Sequence, residues 1–130
     1  MQFLVDTDWV IDYLNGIQTV VQRFDELRPQ GIGLSIVSLA ELYEGVLGAD
    51  DPQANEGALL DFLADIDVLA VDVAVCRIFA EERRRLRMTG TLISDFDLLI
   101  GATAIRHGLT LLTNNRRHFA RLQGLQIVSV

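Results

Sequence analysis

Short apolar runs alternate along this chain with longer stretches in which apolar residues return every three or four positions. The runs "QFLV", "IGLSIV", "DVLAV", "LTLLT" and "LQIVSV" read as strands. The first is almost unbroken in its hydrophobicity, as expected of a strand covered on both faces. Between the runs, helical spacing predicts helices near 8–15, 18–28, 38–47, 54–64, 73–88 and 96–107, with a short one near 116–121. Strands separated by helices imply right-handed crossovers and a parallel sheet between helical layers. The expected fold class is α/β, with a mainly parallel central sheet. No repeat, low-complexity tract or linker interrupts the pattern, and "GADDPQ" (Gly48–Gln53) is the clearest surface turn. Residues 1–130 are expected to form one domain.

Composition narrows the class. Half of the residues are hydrophobic and only two are proline, which argues against disorder. The longest uncharged apolar run, Leu98 to Ile105, is too short for a bilayer. The N-terminus reaches Asp6 with no basic lead, so no signal peptide is expected. Cys76 has no partner for a disulfide, and its apolar neighbours assign it to the core. A cytoplasmic protein without a membrane segment is the expectation.

Charge changes the picture further. With 11 basic and 18 acidic residues the net charge is −7. Such a chain is a poor generic nucleic-acid binder, because phosphate neutralisation supplies most non-specific affinity. A nucleic-acid role would need a local basic patch or bound cations. Every basic residue is arginine, and the absence of lysine excludes Schiff-base chemistry and a P-loop.

Polar groups collect where strands hand over to helices, the edge at which parallel sheets bind ligands. Asp6, Thr7 and Asp8 follow the first strand; Ser38 follows the second, with Glu41 in the first turn beyond; Asn114 and Asn115 follow the fourth. Ser94, Asp95 and Asp97 open the helix that leads into that fourth strand. Each group has a plain reading as a helix cap, Ser38 with Glu41 and Ser94 with Asp97 as capping boxes. Taken together, Asp6, Glu41 and Asp97 would converge, and like charges that close raise one another's pKa or demand a cation. Oxygen ligands of this kind suit Mg²⁺ or Mn²⁺, and the lack of histidine among them argues against zinc. His107 and His118 stand apart in sequence and are expected at the surface or edge. The residues point to a metal-dependent phosphoryl-transfer site and leave its substrate open.

The segments "FLVDTDWVIDYL", "SIVSLAELYEGV", "SDFDLLIGATAIRHGLTLLTNNRRHF" and "LQGLQIV" resemble the PIN-domain family, in order and spacing, across essentially the whole chain. More narrowly they look like VapC-type toxins of toxin–antitoxin modules. The resemblance implies a PIN-like three-layer α/β/α sandwich. It also implies Mg²⁺- or Mn²⁺-dependent endoribonuclease action on single-stranded or loop RNA by a metal-activated water, leaving 5′-phosphate and 3′-hydroxyl ends. The family's acids fall on Asp6, Glu41 and Asp97, with Asp6 and Asp97 as metal ligands and Glu41 acting directly or through water. Asp95 is then left as a cap. Many PIN domains carry a fourth acid where this chain has Asn115, which weighs against a second tightly held ion. Asn115 can offer an amide oxygen or hold a water, while Thr7 and Thr113 can position a carboxylate or a water. Gly101, within the segment that usually reads "IAA", is expected to change only packing. The resemblance further implies a homodimer, silenced by a cognate VapB-type antitoxin, with any DNA binding left to the antitoxin.

Arg116 and Arg117 belong at the rim of the acidic pocket, where forked guanidinium groups suit RNA phosphate. Along "EERRRLR", Glu81 can pair with Arg85 while Arg83 and Arg87 share a stripe; a solvated face is the plain reading and an RNA or acidic-segment contact the alternative. Two rival functions stay open. "LVDTDWV" also resembles the nucleophile loop of haloacid-dehalogenase-like phosphatases, whose usual lysine is missing here. A non-catalytic PIN-like binding module would use the acids only as caps.

Overall fold

The computed structural model describes the whole chain, Met1–Val130. Five strands form one sheet: β1 (Phe3–Val5), β2 (Ile32–Ser35), β3 (Asp67–Leu69), β4 (Thr110–Leu112) and β5 (Ile127–Val128). Their order is β3-β2-β1-β4-β5, and every neighbouring pair is parallel. Around them lie α1 (Thr7–Leu14), α2 (Gln18–Leu27), α3 (Ile36–Leu47), α4 (Pro52–Leu63), α5 (Val73–Met88), α6 (Asp95–His107) and α7 (Arg116–Phe119). The expected α/β/α sandwich is what forms.

The two faces of the sheet explain why β1 is apolar throughout. Phe3 and Val5 join a core with Trp9, Val10 and Phe24, whereas Leu4 joins another with Leu98, Ile100, Leu111 and Phe119. Successive strand residues point to opposite sides, so covering both sides requires every position to be apolar. Burying each such side chain contributes about 1.5–3 kcal/mol. No helix is long and apolar enough to cross a membrane.

Several expectations shift. Ile36 and Val37 continue no strand: Ser35 Oγ accepts the Val37 amide at 3.1 Å, capping α3 two residues before the predicted start. Ser38 therefore lies inside α3, fully buried, and Glu41 lies in its second turn; the Ser38–Glu41 capping box does not form. Cys76 is exposed, because α5 turns Val75, Glu82 and Leu86 inward and leaves Cys76 one residue round the helix. The ion pairs of α5 also differ from the expected Glu81–Arg85. Glu81 takes Arg77 at 2.9 Å, Glu82 takes Arg85 at 2.8 Å, and Arg83 reaches across to Asp95 at 2.8 Å. Asp95 thus pairs with an arginine while Ser94 Oγ caps α6 through the Asp97 amide at 3.2 Å.

Gly101 does set packing, and strongly. A Cβ there would lie 2.2 Å from Leu122 Cδ1, so with any other residue the buried Leu122 side chain would have to move. The helix ends at Gly108, whose φ of 65° is left-handed backbone that suits glycine and turns the chain into β4.

Candidate active site

The strand order reverses beside β1, since β2 lies on one flank and β4 on the other. Such a switch point opens a crevice at the carboxyl ends of the strands. Asp6 follows β1 into that crevice and Thr113 follows β4; both are buried, Asp6 at 5 % exposure.

Hydrogen bonds and close polar contacts link all three candidate acids. Thr7 Oγ1 donates to Glu41 Oε1 at 2.8 Å, and the Thr7 amide donates to Asp6 Oδ1 at 2.8 Å. Thr113 Oγ1 donates to Asp6 Oδ2 at 2.7 Å and accepts the Asn115 amide at 3.0 Å. The Asn115 side-chain amide meets His118 Nδ1 at 3.0 Å, and that nitrogen lies 3.2 Å from Asp97 Oδ2. Asp6, Glu41 and Asp97, far apart in sequence, thus belong to one polar constellation with Thr7, Thr113 and Asn115. Asp6 is also the N-cap residue of α1, so the same carboxylate that caps the helix sits within this constellation.

His118 corrects an expectation. It lies at the edge as expected, its side chain 40 % exposed, but it is not isolated: it contacts Asp97, because a short helix starting after Asn115 places position i+3 back over the cap. A ring nitrogen cannot donate to a carboxylate and accept from an amide at once. An Nδ1–H that donates to Asp97 requires Asn115 to turn its amide oxygen to the ring. His107 is exposed as expected.

Asp8 is the second residue that sequence reasoning undervalued. It lies against Asp6, and burial followed by the Asp8 charge pushes Asp6 up from 3.8 to about 8. Asp8 is itself raised, chiefly by burial, with the Trp9 and Asn114 amides pulling the other way. Both carboxyls are thus held above the ordinary range, Asp6 the more deeply buried of the two. The signal was present in the spacing: acids two apart at a strand-to-helix junction enter the same crevice.

Arg116 and Arg117 are exposed just after Asn115, where Arg116 bonds the Ile127 carbonyl at 3.3 Å. Asn114, expected with Asn115 at the end of the fourth strand, accepts from Trp9 Nε1 at 3.1 Å and from the Val130 amide at 3.0 Å, tying the far end of the chain to α1.

Does this donor set suit a divalent ion? No three acidic, histidine or cysteine side chains form a ready-made cage. Mg²⁺ does not ask for one, since it usually keeps several waters and takes one or two carboxylates. The buried polar side-chain atoms left without a partner are Asp8 Oδ1 and Ser38 Oγ. The first belongs to the neighbour of Asp6. The second sits one turn before Glu41 on the same face of α3. Buried oxygens without partners are costly, and the one on Asp8, beside Asp6, is a spare acceptor for a hydrated cation. The set fits a hard, hydrated ion.

The chain's likenesses agree with this chemistry. The PIN domain family matches residues 3–125. The tRNA(fMet)-specific endonuclease VapC of Shigella flexneri is 30% identical over 126 residues, covering 97% of this chain and 96% of that protein. Ribonuclease VapC1 of Methanocaldococcus jannaschii is 33% identical over 128 residues, covering 97% and 86%. In three dimensions, the structure of VapBC2 from Rickettsia felis bound to a promoter DNA fragment matches with a TM-score of 0.93 at 26% identity, covering 100% of this chain and 99% of the matched one. With the family matching residues 3–125, a relative 33% identical over 97% of the chain and a buried acidic crevice at the switch point of the sheet, the chain belongs to the PIN-domain family, among its VapC-like members.

Proposed function

We propose that residues 1–130 work as one PIN domain, a VapC-type ribonuclease toxin that cuts single-stranded or loop RNA in the cytoplasm with Mg²⁺ or Mn²⁺. The observation that carries this reading is the set of hydrogen bonds and close polar contacts linking Glu41, Asp6 and Asp97 at the switch point of the sheet. The named ribonuclease relatives give the acids their reaction.

In this reading Asp6 and Asp97 ligate the ion, and Glu41 acts through water. When bound, the ion lowers the pKa of a water and offsets charge building on the scissile phosphate. The remaining work belongs to side chains. Thr113 and Thr7 hold the Asp6 and Glu41 carboxylates in fixed rotamers, so little reordering is left for the reaction. His118 and Asn115 hold Asp97 by one oxygen and leave the other free. Asp6 must release its proton before an ion binds, so proton and cation compete below about pH 8. Arg116 and Arg117 offer forked donors to the RNA backbone at the rim.

The Shigella relative is specific for tRNA(fMet), and the Rickettsia structure is a VapBC assembly. By that likeness this chain acts on RNA as a homodimer and is silenced by a VapB-type antitoxin, which carries the DNA contacts. The test is cleavage of an RNA stem-loop by the purified chain. Cutting with Mg²⁺ or Mn²⁺, none in EDTA, and none by Asp97→Asn is the expected result, with 5′-phosphate ends on the fragments. Equal cutting in EDTA, or by Asp97→Asn, overturns it.

A further inference from the structure

We propose that α5 carries a second RNA contact, an arginine cradle that grips backbone phosphates beside the acidic crevice. The proposal rests on the ribonuclease reading for the identity of its ligand. Its site is an open cavity of about 220 Å³ lined by Phe79, Ala80, Arg83, Arg84 and Arg87.

What singles out this face is the state of its charges. The chain carries 11 basic residues, all arginine, against 18 acids. Arg23, Arg28, Arg77, Arg83, Arg85 and Arg106 are paired with carboxylates. Arg116 and Arg121 bond backbone carbonyls. Arg84, Arg87 and Arg117 have neither; Arg117 stands by itself at the rim beside Asn115, whereas Arg84 and Arg87 share one hollow with Arg83. The acids near enough to answer them are already engaged: Glu81 by Arg77, Glu82 by Arg85 and Asp95 by Arg83. Along the helix, Arg84 has Ala80 and Met88 four residues away, and Arg87 has Arg83. Arg83 and Arg87 at i, i+4, and Arg84 and Arg87 at i, i+3, are like-charge neighbours that weaken a helix. A solvated face is served better by mixed signs. A repulsive cluster facing one hollow, in a chain of net charge −7, complements a polyanion.

The place fits as well. Arg83 Nε bonds Asp95 Oδ1 at 2.8 Å, and Asp95 starts the turn of α6 that carries Asp97. The cradle therefore adjoins the acid end of the crevice, where a strand held by its phosphates can run on to the cutting site. Guanidinium forks bind phosphate in two bonds, which lysine cannot do. Phe79, partly buried against the core, gives the hollow an apolar floor.

The experiment uses the full chain and a fluorescein-labelled RNA stem-loop, bound in EDTA and cut in Mg²⁺. Arg84→Ala/Arg87→Ala should weaken binding about tenfold or more. It should also lower the slope of log Kd against log salt by about 1.4, near 0.7 for each lost contact to a single strand. KM should rise while kcat holds. Arg84→Lys/Arg87→Lys should restore the salt slope and only part of the affinity, since charge returns without the fork. Arg23→Ala, on the far-side helix α2, should change neither. Unaltered affinity and slope in the double alanine variant overturn the cradle while leaving the nuclease intact. A changed oligomeric state by light scattering, or loss of an acidic peptide's binding with RNA binding unaltered, overturns it in favour of a protein interface. Weakened binding in a chain that binds RNA but never cuts it supports the cradle and sinks the nuclease reading instead.

Discussion

Replacing Asp6 by asparagine should stabilise the ion-free protein at pH 8 and leave it nearly unchanged at pH 4. Asp6 is only 5 % exposed and lies against Asp8, and its carboxyl is pushed from 3.8 to about 8. Between those values the folded chain holds a proton that the unfolded chain has released. The native state binds more protons, so stability falls as pH rises through this window. Each pH unit costs about 1.4 kcal/mol, which sets an upper limit of about 6 kcal/mol across the window. Buried sites relax and behave as a more polarisable medium than dry protein. An expected gain of about 2 kcal/mol for Asp6→Asn at pH 8 follows, or roughly 6–8 °C in Tm. At pH 4 both side chains are neutral, and the two proteins should agree to within about 1 kcal/mol, the worth of an altered hydrogen bond to Thr113. The assay is thermal unfolding in EDTA at a series of pH values, with the difference between variant and parent as readout. Titration of groups remote from Asp6 cancels in that difference, and relief of the Asp8 repulsion adds to it with the same sign. With Mn²⁺ present the order should invert, because the parent binds the ion and the variant does so poorly. A difference that stays flat from pH 4 to pH 8 refutes the buried-acid reasoning.

Removing the His118 ring should free Asp97 to swing: His118→Ala is expected to lower Mn²⁺ affinity and cleavage by about ten- to a hundredfold. His118→Asn, which keeps a polar group near the Nδ1 position, should recover more than His118→Gln; electron paramagnetic resonance of Mn²⁺ reads binding apart from activity. Gly101→Ala places a methyl 2.2 Å from Leu122 Cδ1, so overpacking of about 1–3 kcal/mol should outweigh the better helix propensity of alanine, by about 1 kcal/mol. Pairing it with Leu122→Ala should remove the clash, and urea unfolding that shows no such recovery would contradict the packing account.

Much of this protein was written in its order of residues. Apolar runs without alternation could only be strands covered on both faces, and the helical stretches between them dictated parallel pairing. Acids at strand-to-helix junctions marked the crevice, because parallel strands bring all their carboxyl ends to one edge of the sheet. Other features turned on a competition between local preferences, or on neighbours distant in the chain. Where β2 stops was decided by Ser35 capping Val37, a local bond that outweighs the strand preference of Ile36 and Val37. Cys76 faces water because the phase of α5 is set by what Val75, Glu82 and Leu86 pack against, which no window of sequence contains. Asp95 found Arg83, and His118 found Asp97, only once α5, α6 and α7 were laid together. Periodicity specifies which face of an element is dry. The meeting of two polar side chains depends on the angle and depth at which those faces pack, a property of the assembled layers.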